Sequence, residues 1–229
     1  MRIERIIQGK KCYIYQNGES DTLLIQAIDG HDLDVLDQEV EIIKQRVHGI
    51  PFTLAAFLVE DWNRELSPWE APAVFGSVAF GAGAAETLAF IRKALLPVLE
   101  IGGKRYKRYY LGGYSLAGLF ALWAAYQTDL FRGIAAASPS VWFPGWKSYM
   151  ESHSIRSPEV YLSLGDKEER TKNAVMATVG ENIRYGYDLL AGAEAVKRCK
   201  LEWNPGGHFV DSEERTAKGF AWLLNGYAQ

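Results

Sequence analysis

Gly113-Tyr114-Ser115-Leu116-Ala117-Gly118 sets a serine among small residues, directly ahead of an apolar run that lasts to Gln127. A short strand, Lys107 to Leu111, leads in, and a helix over 115–127 leads out. A serine on such a strand-to-helix turn is a nucleophile elbow. The glycines are needed because a Cβ beside the serine would strike the turn or the next strand. The helix N-terminus adds partial positive charge beneath the hydroxyl. Ala117 stands where glycine is usual, a change that bears on packing more than on chemistry. The plainer reading is a glycine-rich loop with Ser115 as helix N-cap. The strand before and the helix after favour the elbow.

A serine hydroxyl needs a base to take its proton, and histidine suits neutral pH. The chain has four: His31, His48, His153 and His208. Where a parallel sheet carries such an elbow, the order is serine, acid, histidine. His31 and His48 precede the serine, His48 fits a helix C-terminus beside Gly49, and His153 comes before the strand expected to carry the acid. His208 remains, in the turn Asn204-Pro205-Gly206-Gly207-His208-Phe209 after the last strand. The acid that orients it should follow the strand 160–164, in Gly165-Asp166-Lys167-Glu168-Glu169-Arg170. Glycine, two residues, then the acid selects Glu168, with Asp166 and Glu169 as competitors. A solvated charge run ahead of a helix is the alternative for all three.

Acyl transfer also needs donors for an oxyanion. The residue after the nucleophile supplies the N–H of Leu116. The loop after the strand 22–28, Asp29-Gly30-His31, supplies the second, assigned to His31 with Gly30 beside it. The acids around His31 match no zinc or EF-hand spacing, so no metal is expected. Trp62, Trp69, Trp142 and Phe143 fall in loops after strands and are candidates for a substrate pocket, with core packing as the competing use. Gly81-Ala82-Gly83 lacks the third glycine and the βαβ frame of a dinucleotide site.

Behind these residues stand alternating elements. Residues 2–16 read as one or two strands, ending in an Asn17-Gly18 turn. Thr22–Ile28, Phe52–Val59, Gly133–Ala137, Val160–Leu164 and Lys200–Trp203 read as strands. Leu33 to Val47 recurs at helical spacing, and 86–99, 171–192 and 211–224 read as helices, with Pro97 disturbing the end of the first of these three. Strands alternating with helices imply a mostly parallel central sheet with helices on both faces, whose ligands sit at the strands' carboxyl ends. The 229 residues contain no linker-like stretch, so one domain, 1–229, is expected. The net charge of −3 argues against a nucleic-acid partner. Two cysteines make no disulfide scaffold, and neither a secretory signal nor a run of about 18 apolar residues is visible. A cytoplasmic protein with no membrane partner is the expectation.

Several blocks resemble the putative esterase family of α/β-hydrolases, the group that includes esterase D, siderophore (enterochelin-type) esterases and feruloyl esterases. They are Asp29-Gly30, WNRELSPW from Trp62, GGYSLAGLFALWAAYQTDLFRGIAAASPSVW from Gly112, LSLGDKEE from Leu162 and EWNPGGHF from Glu202. The resemblance implies an α/β-hydrolase fold without a large cap domain, since the connections are short. It implies a cofactor-free serine hydrolase of small-molecule carboxylic or thio-esters, with Ser115 as nucleophile, His208 as base and Leu116 and His31 as oxyanion donors. Some relatives manage with a serine–histidine pair, which leaves Glu168 open. An acyltransferase, or a binding protein on a hydrolase fold, are the competing readings. Nothing in the sequence fixes the oligomeric state.

Overall fold

The computed structural model describes residues 2–103 and 105–226. Its strands are β1 (Arg2–Ile7), β2 (Lys10–Asn17), β3 (Thr22–Ile28), β4 (Phe52–Leu58), β5 (Arg108–Tyr114), β6 (Gly133–Ala137), β7 (Glu159–Gly165) and β8 (Arg198–Asn204). They form one sheet in the order β1-β2-β4-β3-β5-β6-β7-β8. The pairings of β2 with β1 and with β4 are antiparallel, and all others are parallel. This is the expected α/β-hydrolase architecture. Between β6 and β7 lies one short helix and no cap domain.

The helices are α1 (Gly30–Arg46), α2 (Trp62–Glu65), α3 (Ala84–Phe90), α4 (Leu96–Leu99), α5 (Ser115–Gln127), α6 (Trp146–Ser152), α7 (Val179–Ala191) and α8 (Ser212–Asn225). The period-two alternation of each strand divides its side chains between two cores. Leu23, Ile25 and Phe57 face the core that holds α5 and α7, and Leu24, Leu54 and Tyr110 face the one shared by α1 and α8. Helix α5 is buried from Leu116 to Tyr126, which explains its apolar residues on every side.

β3 pairs with β4 on one edge and β5 on the other. The strand order therefore reverses between β3 and β5, and a crevice opens beyond their carboxyl ends. Asp29 and His31 follow β3, and Ser115 follows β5, so both flank that crevice.

Three departures from the sequence reading have a visible cause. β5 runs on through Gly112-Gly113-Tyr114, because these residues pair with Ala135, Ala136 and Ala137 of β6. Glycine is needed at 112 because α8 lies close: a Cβ there would come within 2.6 Å of the Phe220 ring. Residues 171–178 are not part of a long helix. The Asn173 side chain accepts from the Val175 and Met176 N–H groups and donates to the Val74 carbonyl, which holds an irregular turn before α7 starts at Val179. The helix ending near Leu99 begins at Ala84 and is divided by a π-turn, Ile91–Leu95, just before Pro97, whose missing N–H and ring interrupt the regular ladder.

Candidate active site

Ser115 is the first residue of α5, at φ +55°, in the left-handed region that a non-glycine residue seldom adopts. The tight turn brings α5 back over β5, so a Cβ on Gly113 would lie 2.6 Å from the Ala117 methyl. Ala117 is tolerated because Gly113 has no side chain to meet it. The Ser115 Oγ lies 3.0 Å from His208 Nε2 and 3.3 Å from the Ser140 Oγ.

His208 lies in the loop between β8 and α8. Its Nδ1 is 2.7 Å from Glu168 Oε2. The structure thus brings Ser115, His208 and Glu168 into one hydrogen-bonded row. Glu168 opens a single 3-10 turn, Glu168–Arg170, after β7, and points inward at 8% exposure. Its other oxygen, Oε1, accepts from the Gly165 N–H at 2.7 Å, the Ser138 hydroxyl at 2.7 Å and Arg215 Nη1 at 2.9 Å. Burial alone would push this carboxyl up. The contact with His208 and the bonds from Ser138 and Gly165 outweigh burial and hold it below the ordinary carboxylate value. The two competing acids turn elsewhere. Asp166 accepts from the Gly206 N–H at 2.8 Å, and Glu169 makes a two-pronged pair with Arg184 on the surface. His153 stacks on Tyr149 with ring centroids 4.0 Å apart, and His48 follows α1 at φ +48°.

His31 and Leu116 each occupy the second position of a helix, α1 and α5. A second-position N–H has no partner within its own helix, so it is free to donate outward. At α1, Asp29 caps the helix: its side chain accepts from Asp32 N–H, and the Asp32 side chain accepts from Asp29 N–H. Burial, then the charge of Asp29, pushes the Asp32 carboxyl up to about 6.

A cavity of about 260 Å³ opens over Ser115 and His208. Asp29, His31, Asp32 and Ser212 form its polar side, and Trp62, Phe75, Trp142, Met176 and Phe209 its apolar side. Of the aromatic residues expected there, Trp62 and Trp142 line it, while Trp69 and Phe143 do not. Trp69 and Phe143 pack against each other with centroids 5.7 Å apart, and the Trp69 Nε1 donates to the Pro144 carbonyl. Nearby rings and a backbone acceptor satisfy this pair inside the fold, leaving nothing directed at the cavity. Among the described residues, no group of three or more His, Cys, Asp and Glu is placed to hold a metal ion. No helix among them is long and apolar enough to cross a membrane.

Sequence reasoning missed Arg215, Ser138, Phe75, Met176 and Phe209. Arg215 carried one signal: it is a charge on the buried stripe that α8 shares with Phe220 and Leu223. The apolar residues lie in irregular segments, where no periodicity tells cavity from core.

The sequence matches the family model described as Esterase, putative esterase, over residues 13–185. No curated protein matches the chain. The fold is similar to that of an IroE-like serine hydrolase from Shewanella oneidensis, with a TM-score of 0.83 at 15% identity, over 100% of this chain and 82% of that one. It is also similar to the siderophore hydrolases EstB and EstA from Aspergillus nidulans. EstB gives a TM-score of 0.78 at 16% identity over 100% of this chain and 96% of that one. EstA gives 0.75 at 19% identity over 98% and 93%.

Proposed function

The chain belongs to the putative esterase family, and on that premise we propose that it is a serine hydrolase that cleaves carboxylic or thio-esters through an acyl-enzyme on Ser115. The observation that carries this reading is the continuous row from Ser115 Oγ to His208 Nε2, 3.0 Å, and from His208 Nδ1 to Glu168 Oε2, 2.7 Å, at the floor of a cavity.

Ser115 Oγ attacks the ester carbonyl while His208 Nε2 takes its proton. Glu168 holds Nδ1–H, fixing the tautomer in which Nε2 has a free lone pair, and stabilises the imidazolium. The carbonyl oxygen becomes an oxyanion against the N–H groups of Leu116 and His31. The imidazolium then gives its proton to the leaving alcohol or thiol. A water activated by His208 attacks the acyl-enzyme, and Ser115 recovers its proton as the acid departs.

The substrate is a small-molecule ester with an apolar part. Trp62, Phe75, Trp142, Met176 and Phe209 offer it area, and among the described residues no lysine or arginine lines the cavity to attract an anion. Phe75 and Phe209 are 46% and 92% exposed. Such open walls suit esters larger than the cavity, and the names of the two Aspergillus neighbours make siderophore esters one such class to test.

A fluorophosphonate should label one serine, Ser115, as read by peptide mass mapping. Turnover is then followed with chromogenic esters of increasing acyl length, an aryl thioester and an ester-linked siderophore. Labelling of a different serine, or of none in folded protein, overturns the proposal.

A further inference from the structure

Arg215 is 1% exposed, and its guanidinium binds the parts of the site that lie behind Ser115. Nη1 donates to Glu168 Oε1 at 2.9 Å, to the Ser138 hydroxyl at 3.1 Å and to the Tyr114 hydroxyl at 3.1 Å. Nη2 donates to the Pro205 carbonyl at 3.0 Å and the Gly207 carbonyl at 2.9 Å. Those two carbonyls belong to the turn that delivers His208. The Tyr114 hydroxyl, held by Arg215, donates in turn to the His208 carbonyl at 2.6 Å. One side chain of α8 therefore grips the acid, the loop of the base and the residue preceding the nucleophile.

A buried strut would need the carbonyl contacts alone. The contact with Glu168 adds an electrostatic consequence. The carboxylate divides its oxygens, with Oε2 on His208 and Oε1 on Arg215. Behind the imidazole stands a neutral ion pair where an isolated anion would otherwise be. An isolated carboxylate would favour the imidazolium, and the guanidinium removes much of that pull. The other groups around His208 are Ser115 from α5, the Tyr114 and Phe209 rings, and Asp29, His31 and Asp32 across the cavity at the start of α1.

We propose that Arg215 is a positioning residue that locks Glu168 and the His208 loop into one unit and offsets part of the carboxylate's charge, so that Glu168 orients the base while the guanidinium tempers its pull on the imidazolium. The acid limb of the pH profile of kcat/KM therefore depends on Arg215 as well as on Glu168. This inference rests on the serine-hydrolase reading above.

The test compares Arg215→Met, Arg215→Lys and Tyr114→Phe by kcat, KM, the pH profile of kcat/KM and thermal melting. Arg215→Met keeps the bulk and removes the charge, while the Gly165 and Ser138 bonds still hold Glu168 ionised. Its kcat should fall roughly 10–100-fold with little change in KM, and the acid limb should move to higher pH by about one unit. Arg215→Lys should return the limb to its wild-type position but recover only part of kcat, since one ammonium cannot reach both loop carbonyls. Tyr114→Phe should lower kcat without moving the limb. If Arg215→Met does not fold, the lysine and phenylalanine variants decide. A limb displaced upward in Arg215→Lys, or displaced in Tyr114→Phe, overturns the inference. So does a folded Arg215→Met whose limb stays in place or moves down. Wild-type protein that neither hydrolyses esters nor takes the fluorophosphonate overturns the serine-hydrolase reading itself. Label and turnover with an unmoved limb overturn only the role of Arg215.

Discussion

The two sides of the cavity are built on opposite principles. Behind Ser115, the groups are buried and joined by hydrogen bonds across the fold: Glu168 and Arg215 are 8% and 1% exposed, and they tie β7 to α8. In front, the groups are apolar and open, and come from irregular segments: Phe75, Met176 and Phe209, with Trp142 behind them. The rear depends on the sheet, because the carboxyl ends of β5, β6 and β7 place Ser115, Ser138 and Glu168 side by side. The front depends on loops, where substitutions disturb little else. Chemistry and substrate choice should therefore be separable by mutation.

The largest effect should fall at the rear. Ser115→Ala should reduce kcat by ~10⁴-fold or more with the fold intact, measured by turnover alongside circular dichroism. Glu168→Ala should reduce kcat by roughly 10²–10⁴-fold, while Glu169→Ala, on the same turn but facing Arg184, should stay within about twofold. Equal losses for the two glutamates would show that the inward and outward faces of that turn do not differ in function. At the front, Phe209→Ala should raise KM for long or aromatic acyl esters by roughly tenfold and cost acetyl esters less, since one apolar contact in a binding pocket is worth ~1–3 kcal/mol. A uniform fall in kcat for all esters would place Phe209 with the rear group.

The smallest effect concerns charge. Asp32, with its carboxyl pushed up to about 6, is ionised above that pH and neutral below it. A carboxylate-bearing ester should therefore have a kcat/KM roughly 3–10-fold below that of its neutral isostere at pH 8. The ratio should approach one as pH falls through 6. Taking the ratio cancels any acid limb the two esters share, and a constant ratio would remove Asp32 from substrate choice.

How much of this was legible in the sequence follows the same division. β3 and β6 are buried on both faces and read as nearly continuous apolar runs, and α5 is apolar all round for the same reason. Their bounds agree with the sequence reading to the residue. The elbow at Ser115 and the turn at His208 are local patterns of small residues, so they showed without any tertiary information. Glu168 was selected by spacing from three neighbouring acids, and only the 3-10 turn decides which one faces inward. The front was hardly legible. Trp69 and Trp142 look alike in sequence, yet one packs on Tyr149 and the other faces the cavity. Residues 171–178 carried a helical pattern that the Asn173 side chain overrides by binding the backbone itself.

The left-handed backbone of Ser115 has a consequence for heat. A residue with a Cβ held at φ +55° costs the folded state about 1–2 kcal/mol; glycine escapes that cost but loses roughly 0.5–1 kcal/mol of the gain through its freer unfolded chain, a net of about 1 kcal/mol. For a chain of this size, about 1 kcal/mol corresponds to 2–4 °C in Tm. Both inactive, Ser115→Gly and Ser115→Ala separate this term from the loss of the hydroxyl, and the glycine variant should melt about 2–4 °C above the alanine one in differential scanning calorimetry. Equal melting temperatures would mean that the turn relaxes once the hydroxyl is gone. With the expected difference, the residue that makes the protein reactive is also one at which it surrenders resistance to heat.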